Sequence, residues 1–202
     1  SDLPRDRAEL YGECSKLLLK QWKVEDALRA EPDLAQDAGA IGLKEKQDIL
    51  RQLARHLQTS TAGTLGNLIA ESDLEATVER SIRSYVKSNP RSAARALIRQ
   101  LRERNFVLCF AGASFYAFVH RTFLEYYCAD DLRLRFEHEK SVDDECLKKF
   151  YNTHWQDETW HEVICLLSGM IHTSTLTPIL RSLLAQPDPE QTCENVFLAA
   201  RC

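Results

Sequence analysis

One segment of this chain reads as β-structure, FVLCFAGASFYAFVH at residues 106–120. Nearly everywhere else the apolar residues return at helical spacing. Phe and Val crowd the segment, and Ala111-Gly112-Ala113 interrupts it as a turn would, so a β-hairpin is expected there. A chain with one hairpin among helices cannot build a sandwich or a barrel. It has to be mainly α, with the hairpin as an appendage to a helical core.

Before the hairpin, a first helix is expected from about Arg5 to Gln21, with Leu10, Cys14, Leu17 and Leu18 on its buried face. The polar RAEPDLAQDAGAIG stretch reads as a loop. From Leu43 to Leu57 the residues Ile49, Leu50, Leu53, Ala54 and Leu57 form a helical stripe, and TSTAGTLGN breaks it. A third helix should start near Ser72, with Glu75 completing a capping box, and bury Leu74, Val78, Ile82 and Tyr85 or Val86. Asn89 should cap a fourth, with Pro90 in its first turn and Ala94, Leu97, Ile98 and Leu101 inward, ending near Asn105. Three helices followed by a hairpin is the order of a winged helix, expected at about residues 43–120.

After the hairpin the spacing predicts helices at Arg121–Phe136, Val142–Asn152, Thr159–Ile171, Leu176–Ala185 and Glu190–Ala200. Short helices with polar connections suggest an α-helical repeat-like array of degenerate period. The expected fold is therefore a helical segment, a winged helix with one β-hairpin, and a helical array.

Several functions are excluded or disfavoured by the residues themselves. A length of 202 residues and 44% apolar content suffice for one large or two small cores. The balance of 26 Lys+Arg against 30 Asp+Glu, a formal charge of −4, supplies no global attraction to nucleic acid or anionic membrane. No apolar run approaches the roughly 18 residues of a membrane span, and the first residues lack a signal-peptide core, so a cytoplasmic location is expected. There is no G-x-x-x-x-G-K-[ST] loop and no apolar strand ending in paired acids. Ser114 and His120 lack an orienting third group, so hydrolase chemistry is a poor reading. The acids of EATVER and ADDL are expected on solvated faces, and His154 and His161, with Trp155 and Trp160 between them, in packing rather than on a metal. Seven cysteines, an odd number without a C-x-x-C pair, read as reduced core thiols.

Two features remain. Arg91, Arg95, Arg99 and Arg102 recur at spacings of four, four and three, on one face of the fourth helix opposite its apolar stripe. In a winged helix this element would enter a major groove, so DNA is an alternative partner; a solvated face or an acidic neighbouring domain are the others. The second feature is the run Phe118-Val119-His120-Arg121-Thr122-Phe123-Leu124-Glu125-Tyr126-Tyr127-Cys128-Ala129. It resembles the F-x-H-x-x-F-x-E-Y-x-x-A signature that ends the winged helix of NACHT-type NTPases, within the STAND class of signalling ATPases that includes NOD-like immune receptors and many bacterial proteins. Leu3-Pro4, Arg7 and Leu10-Tyr11 are similar to the L-P-x-x-R-x-x-L-Y run just after that family's ATPase core. WHEVICLLSGMI and VFLAARC resemble, more weakly, the first helices of its sensor region. Leu124 stands where many relatives carry a polar residue, and Cys128 where Ala is common.

The resemblance implies that His120 contacts the phosphates of ADP bound in the core and holds the winged helix closed over it. Phe118, Phe123 and Tyr126 would be core anchors, and Glu125 would orient local backbone or an arginine. It implies three parts: residues 1–40, the end of a helical domain after an absent NTPase core; 41–136, the winged helix; and 137–202, the start of a helical sensor region. Because the run begins beside Ser1, the chain is expected to be a fragment that is not an enzyme by itself. ADP or ATP with magnesium would belong to the parent ATPase, with no cofactor expected for the fragment alone. Expected partners are the upstream NTPase core in the same chain, further copies on activation, and an unidentified trigger at the C-terminal region. The implied role is signalling or antiphage and immune defence. Its rivals are a DNA-binding regulator using Arg91, Arg95, Arg99 and Arg102, and a helical scaffold that binds a protein partner.

Overall fold

The computed structural model describes residues 6–21, 24–30, 32–37, 39–60, 67–103, 107–138, 142–187 and 192–202. Among these residues the chain is mainly α, in two compact units: residues 11–127, and residues 1–10 with 128–202.

The first unit holds most of α1 (Arg7–Gln21), α2 (Val24–Arg29), a 3-10 turn at Pro32–Asp37, α3 (Leu43–Thr59), β1 (Ile69–Ala70), α4 (Glu71–Ile82), α5 (Pro90–Glu103), β2 (Leu108–Gly112), β3 (Phe115–Phe118) and the start of α6 (Arg121–Glu137). The stripe Ile49, Leu50, Leu53, Ala54 and Leu57 of α3 is fully buried. Each such Leu or Ile contributes roughly 1.5–3 kcal/mol on leaving water. At the start of α3, the Gly42 amide donates to Glu45 Oε2 at 2.9 Å. α4 buries Leu74, Val78 and Ile82, with Val86 following, while the Tyr85 hydroxyl donates to Asp48 Oδ2 at 2.9 Å. Asn89 caps α5 as expected, its Oδ1 accepting from the Ser92 amide at 3.0 Å, and Ala94, Leu97 and Ile98 are buried. The side chains of Leu101 and Arg102, and the 61–66 break, lie outside the described residues.

The hairpin is present, and a third strand joins it in the antiparallel order β1-β3-β2. Leu108 faces Phe118 and Phe110 faces Tyr116, a bulge follows, and Gly112 faces Phe115; on the other side Ile69 faces Tyr116. Gly112, Ala113 and Ser114 turn the chain with positive φ angles of 88°, 47° and 63°. Glycine adopts that region freely; Ala113 and Ser114 occupy it because the bulge and tight turn leave no alternative.

Several expectations for this unit need correction. α4 starts at Glu71 directly from β1, so Ser72 lies inside its first turn and makes no capping box with Glu75. The polar stretch read as a loop contains the 3-10 turn, which buries Leu34 and Asp37. Asp37 accepts from the Lys87 amide at 3.0 Å, the Ser88 amide at 3.1 Å and the Ser88 hydroxyl, tying the turn to the α4–α5 connection. In α1 the leucine face is the outer one, with Leu10 45% and Leu17 61% exposed. The inner face is Ala8, Gly12, Ser15 and Leu19, and the absence of a side chain at Gly12 permits close approach to Tyr126.

In the second unit α7 (Asp144–His154), α8 (Glu158–Met170), α9 (Thr173–Leu184) and α10 (Glu194–Arg201) pack around Leu147, Tyr151, Val163, Ile164, Leu167, Ile179, Leu183 and Leu198. Side-chain caps set three of the starts: Asp143 accepts from Cys146 N at 2.7 Å, Asp157 from Thr159 N at 3.0 Å and His172 from Ser174 N at 3.3 Å. Arg7 and Arg201 both pair with Glu162, the latter at 3.4 Å. The expected histidine packing is found: His154 stacks on Trp160 with centroids 4.4 Å apart, and the His161 ring bonds the Trp155 carbonyl at 2.6 Å. Two readings are overturned. Asp130 and Asp131 of ADDL are buried, because Arg133 (2.7 Å from Asp130) and Arg135 (3.7 Å from Asp131) follow on the same helix face and neutralise them. Of the seven cysteines, all free, only Cys128 is buried, and Cys146 and Cys193 are exposed.

Candidate functional site

The run that ends the hairpin and opens α6 is held from both sides. Asn67, just before β1, grips Phe118: its Nδ2 donates to the Phe118 carbonyl at 2.9 Å, and the Phe118 amide donates to its Oδ1 at 3.0 Å. One residue on, the Val119 amide donates to the Val107 carbonyl at 2.9 Å. His120 then supplies the first carbonyl of α6, accepting from the Phe123 amide at 3.0 Å. Backbone on each side of the histidine is thereby fixed before its side chain is considered.

Below it, the anchors are buried. Phe118 lies 6.3 Å from Tyr127, Tyr11 meets Phe123 edge-on at 6.2 Å, and Tyr126 meets Tyr127 at 5.3 Å. Tyr127 shares a hydrogen bond with Ser15, and a Cβ placed on Gly12 would come within 3.1 Å of the Tyr126 hydroxyl. Glu125, buried, accepts from Arg121 Nε at 2.9 Å across one helical turn.

His120 itself is exposed. Its ring leans on Phe123, 6.4 Å between centroids, and among the described residues it makes no hydrogen bond. It is therefore no satisfied core histidine. An imidazole on fixed backbone, whose ring nitrogens bond none of the described residues, can donate N–H to an anionic oxygen. The neighbouring Arg121 is partly committed to Glu125.

The arginine face of α5 lies elsewhere on the unit. Arg91, Arg95 and Arg99 are exposed, and Arg95 Nε donates to both carboxylate oxygens of Glu75 at 3.2 and 3.3 Å. That carboxylate offsets part of the positive field a groove-binding helix would present. Ser114 sits in the wing turn, where its carbonyl accepts from the Glu71 amide at 2.8 Å. Among the described residues no group of three or more His, Cys, Asp or Glu is placed to hold a metal ion, and no helix is long and apolar enough to cross a membrane.

Asn67 was not singled out by sequence reasoning. A lone Asn in a polar stretch carries no pattern, and only the 51-residue separation in each of its bonds with Phe118 reveals its role.

Three helices capped by a small antiparallel sheet with a wing define a winged-helix domain. Residues 7–132 match the family described as the winged helix-turn-helix domain C-terminal to NACHT, and the chain belongs to that family. No curated protein and no solved structure matches it.

Proposed function

We propose that this chain is the regulatory part of a NACHT signalling protein, in which the winged helix holds a nucleotide-bound resting state closed through His120. Family membership supports the NACHT association. The observation that carries the latch is the exposed His120, whose backbone is held by the Phe123 amide and whose ring makes no hydrogen bond among the described residues. Those groups suit a phosphate: His120 would donate to it, while Phe118, Phe123 and Tyr126 fix where the ring points. The nucleotide, ADP in the resting state and ATP with magnesium on activation, would be bound by the NACHT domain that precedes such winged helices; its negative phosphate oxygens are what the imidazole would engage. Release of that contact would free the winged helix to rotate and expose an assembly surface, a two-state domain movement. Signalling in immune or antiphage defence is the context the motif resemblance suggests.

The test uses the full-length protein with its NACHT domain. His120→Ala should speed ADP dissociation by about tenfold, the equivalent of one charge-assisted hydrogen bond of about 1.4 kcal/mol. It should also raise basal assembly. An unchanged ADP off-rate in a folded variant overturns the latch.

A further inference from the structure

Helix α1 turns its leucine stripe away from the core. It is one unbroken helix of 15 residues, and Ala8, Ser15 and Leu19 on its inner face are buried. On the opposite side Leu10 and Leu17 are exposed, with half-buried Cys14 between them and half-buried Leu18 beside them. Leucines at an interval of seven on an exposed face form the seam of a helix that pairs with another helix. Along one edge of the stripe run Glu9, Glu13, Lys16 and Lys20, at spacings of four, three and four, all of them exposed. Their sign changes once, between Glu13 and Lys16. These two pair within the helix at 2.6 Å with side chains 57% and 49% exposed, a contact too weak to hold them from other partners.

We infer that this stripe is a homotypic interface, on which α1 of a second copy of the chain lies antiparallel about a twofold axis beside Cys14. The charged edge selects that occupant. A twofold axis across the helix keeps each edge on its own side and reverses its direction, so Glu13 comes opposite Lys16 of the second copy and Glu9 opposite its Lys20. One register satisfies both pairs, and each occurs twice. In that register Leu10 of one copy lies alongside Leu17 and Leu18 of the other, and the two Cys14 residues meet near the axis. Parallel pairing would set the charged edge against Tyr11 and Leu18, which carry no counter-charge. A wholly acidic or wholly basic partner helix would match only half of the edge. The leucines supply the apolar contact and the charges fix orientation. One face of a 15-residue helix is a small interface, so the pairing belongs to the weak, concentration-dependent class. It involves neither His120 nor nucleotide.

The experiment follows the full 202-residue chain, without nucleotide, by sedimentation equilibrium and by cross-linking with bismaleimidoethane, with the linked peptides mapped after digestion. Wild-type chain should dimerise as its concentration rises from the micromolar towards the millimolar range. The cross-link should join Cys14 to Cys14, although Cys146 and Cys193 are the more exposed thiols. Leu17→Glu, at an exposed position, should weaken the dimer by about tenfold. Two charge variants test the register. Glu9→Lys with Glu13→Lys, and Lys16→Glu with Lys20→Glu, should each stay monomeric alone and dimerise when mixed. Circular dichroism confirms that each variant is folded. The inference is overturned if wild-type chain remains monomeric over that range, which would leave the stripe to a different partner. It is equally overturned if a dimer forms that cross-links through Cys146 or Cys193 instead of Cys14, or that Leu17→Glu leaves unchanged.

Discussion

Asn67 holds Phe118 by both of its backbone polar groups, 51 residues away in sequence, and so fixes the strand that delivers His120. Asn67→Ala removes one acceptor and one donor from a half-buried site. A loss of about 1–3 kcal/mol in urea unfolding is expected. In the full-length protein the same variant should also speed ADP release, although it touches no nucleotide itself. A stability loss without any change in ADP release would make Asn67 a fold residue only.

Gly12 faces the Tyr126 hydroxyl with room for little more than hydrogen. Gly12→Leu should cost about 1–3 kcal/mol by overpacking, despite leucine's better helix propensity. Gly12→Ala, whose Cβ would sit at 3.1 Å, should be much closer to neutral, since the propensity gain offsets the contact. Denaturant midpoints of the two variants check the order, and equal midpoints would contradict the close approach.

Arg95 pairs with Glu75 at the surface, its side chain 52% exposed. Arg95→Ala should therefore change stability by less than about 1 kcal/mol. Thermal unfolding at low and high salt checks this, and a larger, salt-insensitive loss would place Arg95 in a structural role.

Burial against Phe150 and Trp160 pulls His154 below the ordinary histidine value, with Asp157 opposing in part. The unfolded chain then binds the proton more readily than the folded one, so stability rises with pH. The contribution is complete above the unfolded value of about 6.5 and is lost as pH falls through the lower folded value. Wild-type protein should lose more stability between about pH 7.5 and about pH 5 than His154→Phe, which keeps the aromatic stack without the titration. Trp160 fluorescence during unfolding reports it, and equal losses would remove His154 as the cause.

Tyr151 and Ser168 share a buried hydrogen bond of 2.9 Å. Tyr151→Phe should cost only about 1 kcal/mol, because the Ser168 hydroxyl keeps its bond to Ile164. Chemical denaturation measures it, and a loss well beyond that would mean that the hydroxyl organises more of the α7–α8 packing than this bond.

The elements that sequence made legible are those with long periods. The stripes read in α3, α4 and α5 are buried wherever their side chains are described, and of the two residues offered after α4 it is Val86 that is buried, the Tyr85 hydroxyl turning to Asp48. The hairpin was readable from its Phe and Val content around Gly112. β1 was not, because Ile69 and Ala70 are too few to show an alternation and become a strand only by pairing with Tyr116 and Phe115. In α1 hydrophobicity pointed to the leucines, whereas the inner face carries Gly12, whose lack of a side chain admits Tyr126. The ADDL acids misled for a related reason: charge suggests solvent, but Arg133 and Arg135 supply counter-charges that make burial tolerable. Of the candidate site, the motif located His120 and its anchors, while the Asn67 clamp needed three-dimensional placement.

Strand β3 is pinned at both ends, by Asn67 at Phe118 and, across the turn, by the Ser114 carbonyl that receives the first amide of α4. The wing is consequently no free flap. In mechanical terms it is a stiff handle: a force applied at its tip is transmitted to α4, and one applied near His120 arrives at β1, so the domain would answer a pull as one lever rather than bending at its hairpin.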